Sequence, residues 1–157
     1  MDSRPIGVFD SGLGGLTVVR ALKDLLPNES IVYFGDTARL PYGVKSQSLI
    51  KQFSTQITRF LLEKNAKAVI IACNTATAMA LDTLKSEFKN VPMIGVIEPG
   101  SEKAIYETNT KKIGVIGTIA TISSGAYEKE IQIKDDKIEI ISKACPLFVP
   151  FVEEWLI

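Results

Sequence analysis

Short apolar runs alternate along the chain with longer stretches whose apolar residues recur at helical spacing. Pro5-Ile6-Gly7-Val8-Phe9, closed by Asp10-Ser11-Gly12, predicts a buried strand. Leu16, Val19, Leu22 and Leu26 follow at helical spacing as far as Pro27-Asn28. Ile31-Val32-Tyr33-Phe34 predicts the next strand, and a loop from Gly35 to Gly43 leads to a helix with Ser46 or Ser48 as N-cap. Leu49, Phe53, Ile57 and Phe60 are expected on one face of that helix. Ala68-Val69-Ile70-Ile71-Ala72 shows no alternation, as a strand covered on both faces does. A helix over Ala76 to Phe88 comes next, and then a strand at Met93-Ile94-Gly95-Val96-Ile97. Glu98-Pro99-Gly100-Ser101 reads as a lobe boundary or a βα loop leading into a helix. The pattern ends with a strand at Lys112-Ile113-Gly114-Val115-Ile116, a helix over about Ser123 to Ile131 and a strand at Ile138-Glu139-Ile140-Ile141. Strands alternating with helices mean an α/β fold, a parallel sheet with helices on both faces joined by right-handed crossovers. The last ten residues, Phe148 to Ile157, form a dense apolar run with no helix stop signal, as expected of residues that dock or continue into more chain.

The chain's 157 residues are 46% hydrophobic and 23% charged, which suits a globular domain with a real core. Eighteen basic and eighteen acidic side chains cancel, so there is no electrostatic footprint for nucleic acid and no polybasic stretch for a membrane surface. Histidine is absent, which excludes Ser-His-Asp and Cys-His catalysis and imidazole zinc sites built from this chain alone. Cys73 and Cys145 match no metal or redox spacing, and two cysteines are too few for a secreted disulfide scaffold. With no apolar signal region at Met1-Asp2-Ser3-Arg4-Pro5 and no membrane-length run, a cytoplasmic, reduced protein is expected.

Polar groups collect where the predicted strands end, which is where open parallel sheets bind ligands: Asp10-Ser11, Asp36 to Gly43, Cys73-Asn74-Thr75 and Thr118. Asp10-Ser11-Gly12-Leu13-Gly14-Gly15 is a glycine-rich strand-to-helix turn whose free N–H groups suit a carboxylate or phosphate. A dinucleotide fingerprint fits less well, because Thr17 stands where the third glycine belongs and Asp10 would repel a pyrophosphate. A turn needed only for tight packing is the plain reading. Cys73 leaves a buried strand at the start of a helix, where the helix N-terminus is expected to favour thiolate, and Asp10 could take or orient its proton. Proton abstraction or redox chemistry suits such a group better than acyl transfer without histidine. Cys145, in Ala144-Cys145-Pro146, reads as a core cysteine. Tyr42 is a pocket wall or a turn aromatic; Arg39 and Lys45 could attract a carboxylate or simply be solvated.

Three segments in this order and spacing, Asp10 to Gly15, Phe34 to Gly43 and Ala72-Cys73-Asn74-Thr75-Ala76, closely resemble the bacterial glutamate racemases of the aspartate/glutamate racemase superfamily. The resemblance continues through Gly95 to Gly100, Gly114 to Thr118 and Ala144 to Pro150. It implies interconversion of L- and D-glutamate without a cofactor, by two cysteines acting on opposite faces of the substrate, to supply D-glutamate for peptidoglycan. By motif, Cys73 resembles the base that deprotonates D-glutamate and Asp10 its proton partner. Asp10, Ser11, Tyr42, Gly43, Asn74 and Thr75 resemble substrate-binding residues, with Thr118 contributing from the second lobe. Glu153 resembles the acid that assists the second cysteine. That cysteine belongs to a downstream Cys-Thr-His motif that this chain does not contain. The resemblance therefore implies a truncated racemase that lacks its second catalytic cysteine and whose turnover alone is open, with a first lobe over 1–97 and part of a second over 98–157. It implies no metal, a small-molecule substrate and, since the family commonly dimerises, a homodimer. Alternatives are another amino-acid racemase, such as one for aspartate, and a non-enzymatic fragment that binds a carboxylate or a protein.

Overall fold

The structure, a computed structural model, describes residues 2–154. Strand β1 (Ile6–Asp10) leads through helix α1 (Leu16–Leu25) to β2 (Ile31–Gly35). A single 3₁₀ turn (Tyr42–Val44) precedes α2 (Gln47–Glu63), β3 (Ala68–Ile71), α3 (Asn74–Glu87) and β4 (Met93–Gly95). Then come α4 (Ile97–Glu107), β5 (Lys112–Gly117), α5 (Ile119–Ser123), α6 (Ala126–Lys134), β6 (Glu139–Ala144) and α7 (Phe148–Glu153). The first four strands form a parallel sheet in the order β2-β1-β3-β4, and β5 pairs with β6 in a second parallel sheet. Trp155-Leu156-Ile157, the end of the apolar C-terminal run, lies outside the described residues.

The period of two along β1 and β3 decides which side chains meet which helix. Ile6, Val8, Ile70 and Ala72 face α1 and pack on its Val18, Val19 and Leu22. Phe9, Val69 and Ile71 face the opposite way, against Ile50, Ile57 and Leu61 of α2 and Ala76, Ala80 and Leu84 of α3. Gly7 shares that second face because Leu61 comes so near that a methyl at residue 7 would sit 3.1 Å from its Cδ1. The β5–β6 pair has its own core of Val115, Ile131 and Ile138, with Ile105 of α4 and Tyr127 of α6 packed against it. On its other face Ile116 and Ile141 are exposed.

Several boundaries differ from the sequence expectation, each for a local reason. Ser46 is the cap of α2, its hydroxyl accepting from the Leu49 N–H at 3.4 Å. The buried stripe of α2 is Ile50, Ser54, Ile57, Thr58 and Leu61; Leu49 is exposed, because the helix turns Ile50 and Leu61 to the sheet. Glu98-Pro99-Gly100 is not a loop but part of the start of α4, where Pro99 loses no helical hydrogen bond because the first N–H groups of a helix have no partner within it. The single helix expected near Ser123 to Ile131 is two, broken where Gly125 takes a left-handed φ of 64° to start α6. β6 runs on to Ala144 because it pairs residue for residue with β5 as far as Gly117.

Leu61 is fully buried between α2 and the sheet, whereas Leu25 at the end of α1 is exposed. Leu61→Ala is expected to lower the unfolding free energy by about 2–5 kcal/mol, and Leu25→Ala by less than about 0.5 kcal/mol. Urea titrations of both variants check the contrast; equal losses would place the core elsewhere.

Candidate active site

The order β2-β1-β3 makes the chain leave β1 for one neighbour and return on its other side, so a crevice opens beyond the C-terminal ends of β1 and β3. Asp10 and Ser11 leave β1 on one side of that crevice and Cys73 leaves β3 on the other, Ser11 and Cys73 within hydrogen-bond reach of each other. The C-terminal ends of β5 and β6 face the same place: Gly117-Thr118 and Cys145 line it, and the Cys145 N–H donates to the Gly117 carbonyl at 2.8 Å. Between the two sheets lies a cavity of about 470 Å³. Asp10, Ser11, Tyr42, Gly43, Cys73, Asn74, Thr75, Thr118 and Glu153, the residues to which the resemblance gives a role, line it.

Three N–H groups of the glycine turn after β1, those of Gly12, Leu13 and Gly15, are not offered to an incoming anion. Asp10 Oδ2 accepts from the N–H groups of Gly12 at 3.1 Å and Gly15 at 3.0 Å, and Glu153 of α7 accepts from the Leu13 N–H at 3.1 Å. A methyl at residue 12 would overlap the Glu153 carboxylate, so a side chain there would displace that carboxylate from the turn. Tyr33 completes the turn, its hydroxyl donating to the Gly12 carbonyl at 2.7 Å. The anion cradle expected from the glycines is thus filled by the protein's own carboxylates. Burial, with the nearby Asp10 and Glu153 charges, pushes the Tyr33 phenol up and keeps it a donor.

Cys73 is 5% exposed and is the N-cap of α3. Its Sγ accepts from the Ala76 N–H at 3.4 Å and donates to Ser11 Oγ at 3.5 Å. The helix end was expected to favour thiolate, but burial and the Asp10 charge outweigh these hydrogen bonds and push the thiol up to about 11. Cys73 is therefore a protonated thiol at neutral pH and, once deprotonated, a strong base.

Tyr42 is a pocket wall held from behind. Its hydroxyl donates to the Asp36 carboxylate, which Arg39 Nε also reaches at 2.7 Å. Burial and that carboxylate push the Tyr42 phenol up. Arg39 lies over the Phe53 ring at 4.3 Å and donates to Gln56 at 2.7 Å. Neither Arg39 nor Lys45 lines the cavity, and no lysine or arginine does among the described residues. Gly43 lies against Thr118, where a side chain would overlap it. The hydroxyls of Thr75, Thr118 and Thr121 form a triangle with sides of 2.9, 3.1 and 2.9 Å, tying α3 to α5 across the cavity floor.

Cys145 is half-exposed and lines the cavity, so the core reading of it is corrected: it stands at the open end of β6 rather than between layers. Sequence reasoning missed Thr121 and Tyr127. Thr121 is three residues after the cap Thr118 and gives it an N–H at 3.2 Å, a spacing that could have been read. Tyr127 carried no local signal, because the break at Gly125 that orients α6 was not anticipated. Among the described residues no group of three or more His, Cys, Asp or Glu could hold a metal, and no helix is long and apolar enough to cross a membrane.

The model of the Asp/Glu/hydantoin racemase family matches residues 10–141, which include Asp10, Ser11, Tyr42, Gly43, Cys73, Asn74, Thr75 and Thr118 of this site and stop short of Cys145 and Glu153. The chain belongs to that family. Among racemases similar to it are the glutamate racemase of Chlorobium phaeobacteroides, 51% identical over 96% of this chain and 55% of its own. That of Lactococcus lactis subsp. cremoris (strain MG1363) is 56% identical over 98% of this chain and 56% of its own. Among solved structures, the glutamate racemase of Francisella tularensis in complex with D-glutamate superposes with a TM-score of 0.91 at 49% identity, over 99% of this chain and 58% of that one. A glutamate racemase isoform from Bacillus anthracis superposes with a TM-score of 0.94 at 44% identity, again over 99% and 58%. This racemase-family chain therefore spans a little over half the length of the relatives it matches.

With Cys145→Ala leaving Cys73 as the one thiol, alkylation by iodoacetamide is expected to speed up about tenfold per pH unit and to level off only near pH 11. Removing the negative charge with Asp10→Asn should bring that plateau down. In the Cys145→Ala chain with Asp10 intact, a plateau at or below pH 9, the ordinary thiol value, would contradict the desolvation assigned to Cys73.

Proposed function

We propose that this chain carries the glutamate-binding face and one of the two bases of a cofactor-independent glutamate racemase. The observation that carries this reading is the position of Cys73, a buried thiol lining a cavity whose other walls are apolar side chains, neutral hydrogen-bonding groups and two carboxylates. The named relatives favour glutamate over aspartate as the substrate. Its α-ammonium belongs near Asp10 and Ser11, where it cancels the Asp10 field that holds the thiol protonated. Its carboxylates take donors from Asn74, Thr75, Thr118 and the Tyr42-Gly43 turn.

The Cys73 thiolate takes the α-hydrogen of D-glutamate as a proton, with Asp10 as the acceptor that frees the thiolate beforehand. The electron pair of the broken C–H bond stays on Cα and spreads into the adjacent carboxylate, which the neutral donors stabilise. Inversion needs a proton delivered to the opposite face, the part that the resemblance gives to a cysteine in Cys-Thr-His with Glu153 assisting. This chain contains no Cys-Thr-His. The proton on Cys73 then returns to the face it left, after exchange with solvent, and configuration is retained. The domain division belongs to the same reading, with a first lobe over 1–97 and part of a second over 98–157. A cytoplasmic setting and a part in supplying D-glutamate for peptidoglycan belong to it as well.

Incubation in deuterated water tests the reading directly. The α-proton signal of D-glutamate is expected to fade without formation of L-glutamate, and Cys73→Ala should abolish the exchange. D-Aspartate should compete poorly. No exchange with either glutamate enantiomer would overturn the proposal for this chain.

A further inference from the structure

The cavity is lined by no cation among the described residues, so a carboxylate there depends on neutral donors held in the right orientation. Asn74 is one of them, and its carboxamide has an acceptor end and a donor end that differ only by rotation about χ2. Nothing on α3 holds that rotation: Asn74 is the first residue of the helix and is exposed. The hold comes from the other sheet. Tyr127 of α6 donates its hydroxyl to Asn74 Oδ1 at 2.6 Å, while its ring packs against the Val115, Ile131 and Ile138 core. With Oδ1 taken, the free end of the carboxamide is the NH₂ group, and Asn74 itself lines the cavity. Burial pushes the Tyr127 phenol up, so it stays a donor throughout the neutral range.

We infer that Tyr127 is a positioning residue: its hydroxyl fixes the Asn74 carboxamide so that the NH₂ group faces a bound carboxylate. This deepens the glutamate reading and rests on it for the identity of the ligand. The contact also spans the two sheets, so a residue of the β5–β6 half sets the donor geometry on the β1–β4 half. A tyrosine serving only to pack α6 would need no hydroxyl partner on α3.

Tyr127→Phe keeps the ring and removes the hydroxyl, and thermal unfolding would confirm that the variant is folded. In the ligand-free chain, the Asn74 side-chain NH₂ is expected to show a high ¹⁵N order parameter, which falls in Tyr127→Phe. In NMR titrations with D-glutamate, Tyr127→Phe should weaken binding about two- to tenfold. Asn74→Ala should weaken it at least as much, and adding Tyr127→Phe to Asn74→Ala should cost nothing further. An unchanged Asn74 order parameter, or losses that simply add in the double variant, would overturn the positioning role. If the wild-type chain binds no glutamate, the functional proposal falls, and the Asn74 order parameter still decides this one.

Discussion

Because β1 and β3 lie side by side in parallel register, Asp10-Ser11 and Cys73 leave the sheet at adjacent positions and on the same edge. That pairing brings a carboxylate, a hydroxyl and a thiol together although they are some sixty residues apart in sequence. Beside them the glycine turn after β1 folds over its own Asp10, to which Gly12 and Gly15 both donate. A different neighbour for β1 would leave Cys73 a small buried hydrophobe with nothing to act on.

On the proposed reading, the site makes a poor acid into a latent base. Burial and Asp10 disfavour the thiolate more than Ser11 and the Ala76 N–H favour it. A thiol held this way does not ionise idly, and a cationic ammonium placed beside Asp10 tips the balance by cancelling the field that suppresses it. Arg39, the one guanidinium near the Tyr42 loop, is spent on Asp36, Gln56 and the Phe53 face. Charge stabilisation in the cavity is thus left to threonine hydroxyls, a carboxamide and backbone groups. Such neutral donors act only when rigidly aimed, which is why contacts such as Tyr127 to Asn74 matter more here than in a pocket lined by arginine.

The first sheet and its site were largely legible in the sequence because the signals are local. An apolar run followed at once by Asp10-Ser11, or by Cys73-Asn74-Thr75, marks a strand end whatever lies elsewhere. The motif resemblance assigned roles to residues that the structure gathers around one cavity. What was not legible depended on partners distant in sequence or on a single backbone dihedral. The buried stripe of α2 turned on which face the sheet presented, so Leu49 was assigned inward and Ile50 was passed over. Gly125 broke a helix through one left-handed φ, and Tyr127 was lost with it. The raised thiol of Cys73 also escaped, since a helix N-terminus can be read from sequence whereas complete burial beside Asp10 cannot.

A crystal structure of this chain with bound D-glutamate would show whether Cys73 faces the substrate. The ligand is expected in the cavity between the two sheets, its α-ammonium beside Asp10 and Ser11. Its α-carbon should face Cys73 Sγ with the reacting atoms about 3–3.5 Å apart. Glutamate seated outside that cavity, or held within it with the α-hydrogen turned away from Cys73, would contradict the proposed reading.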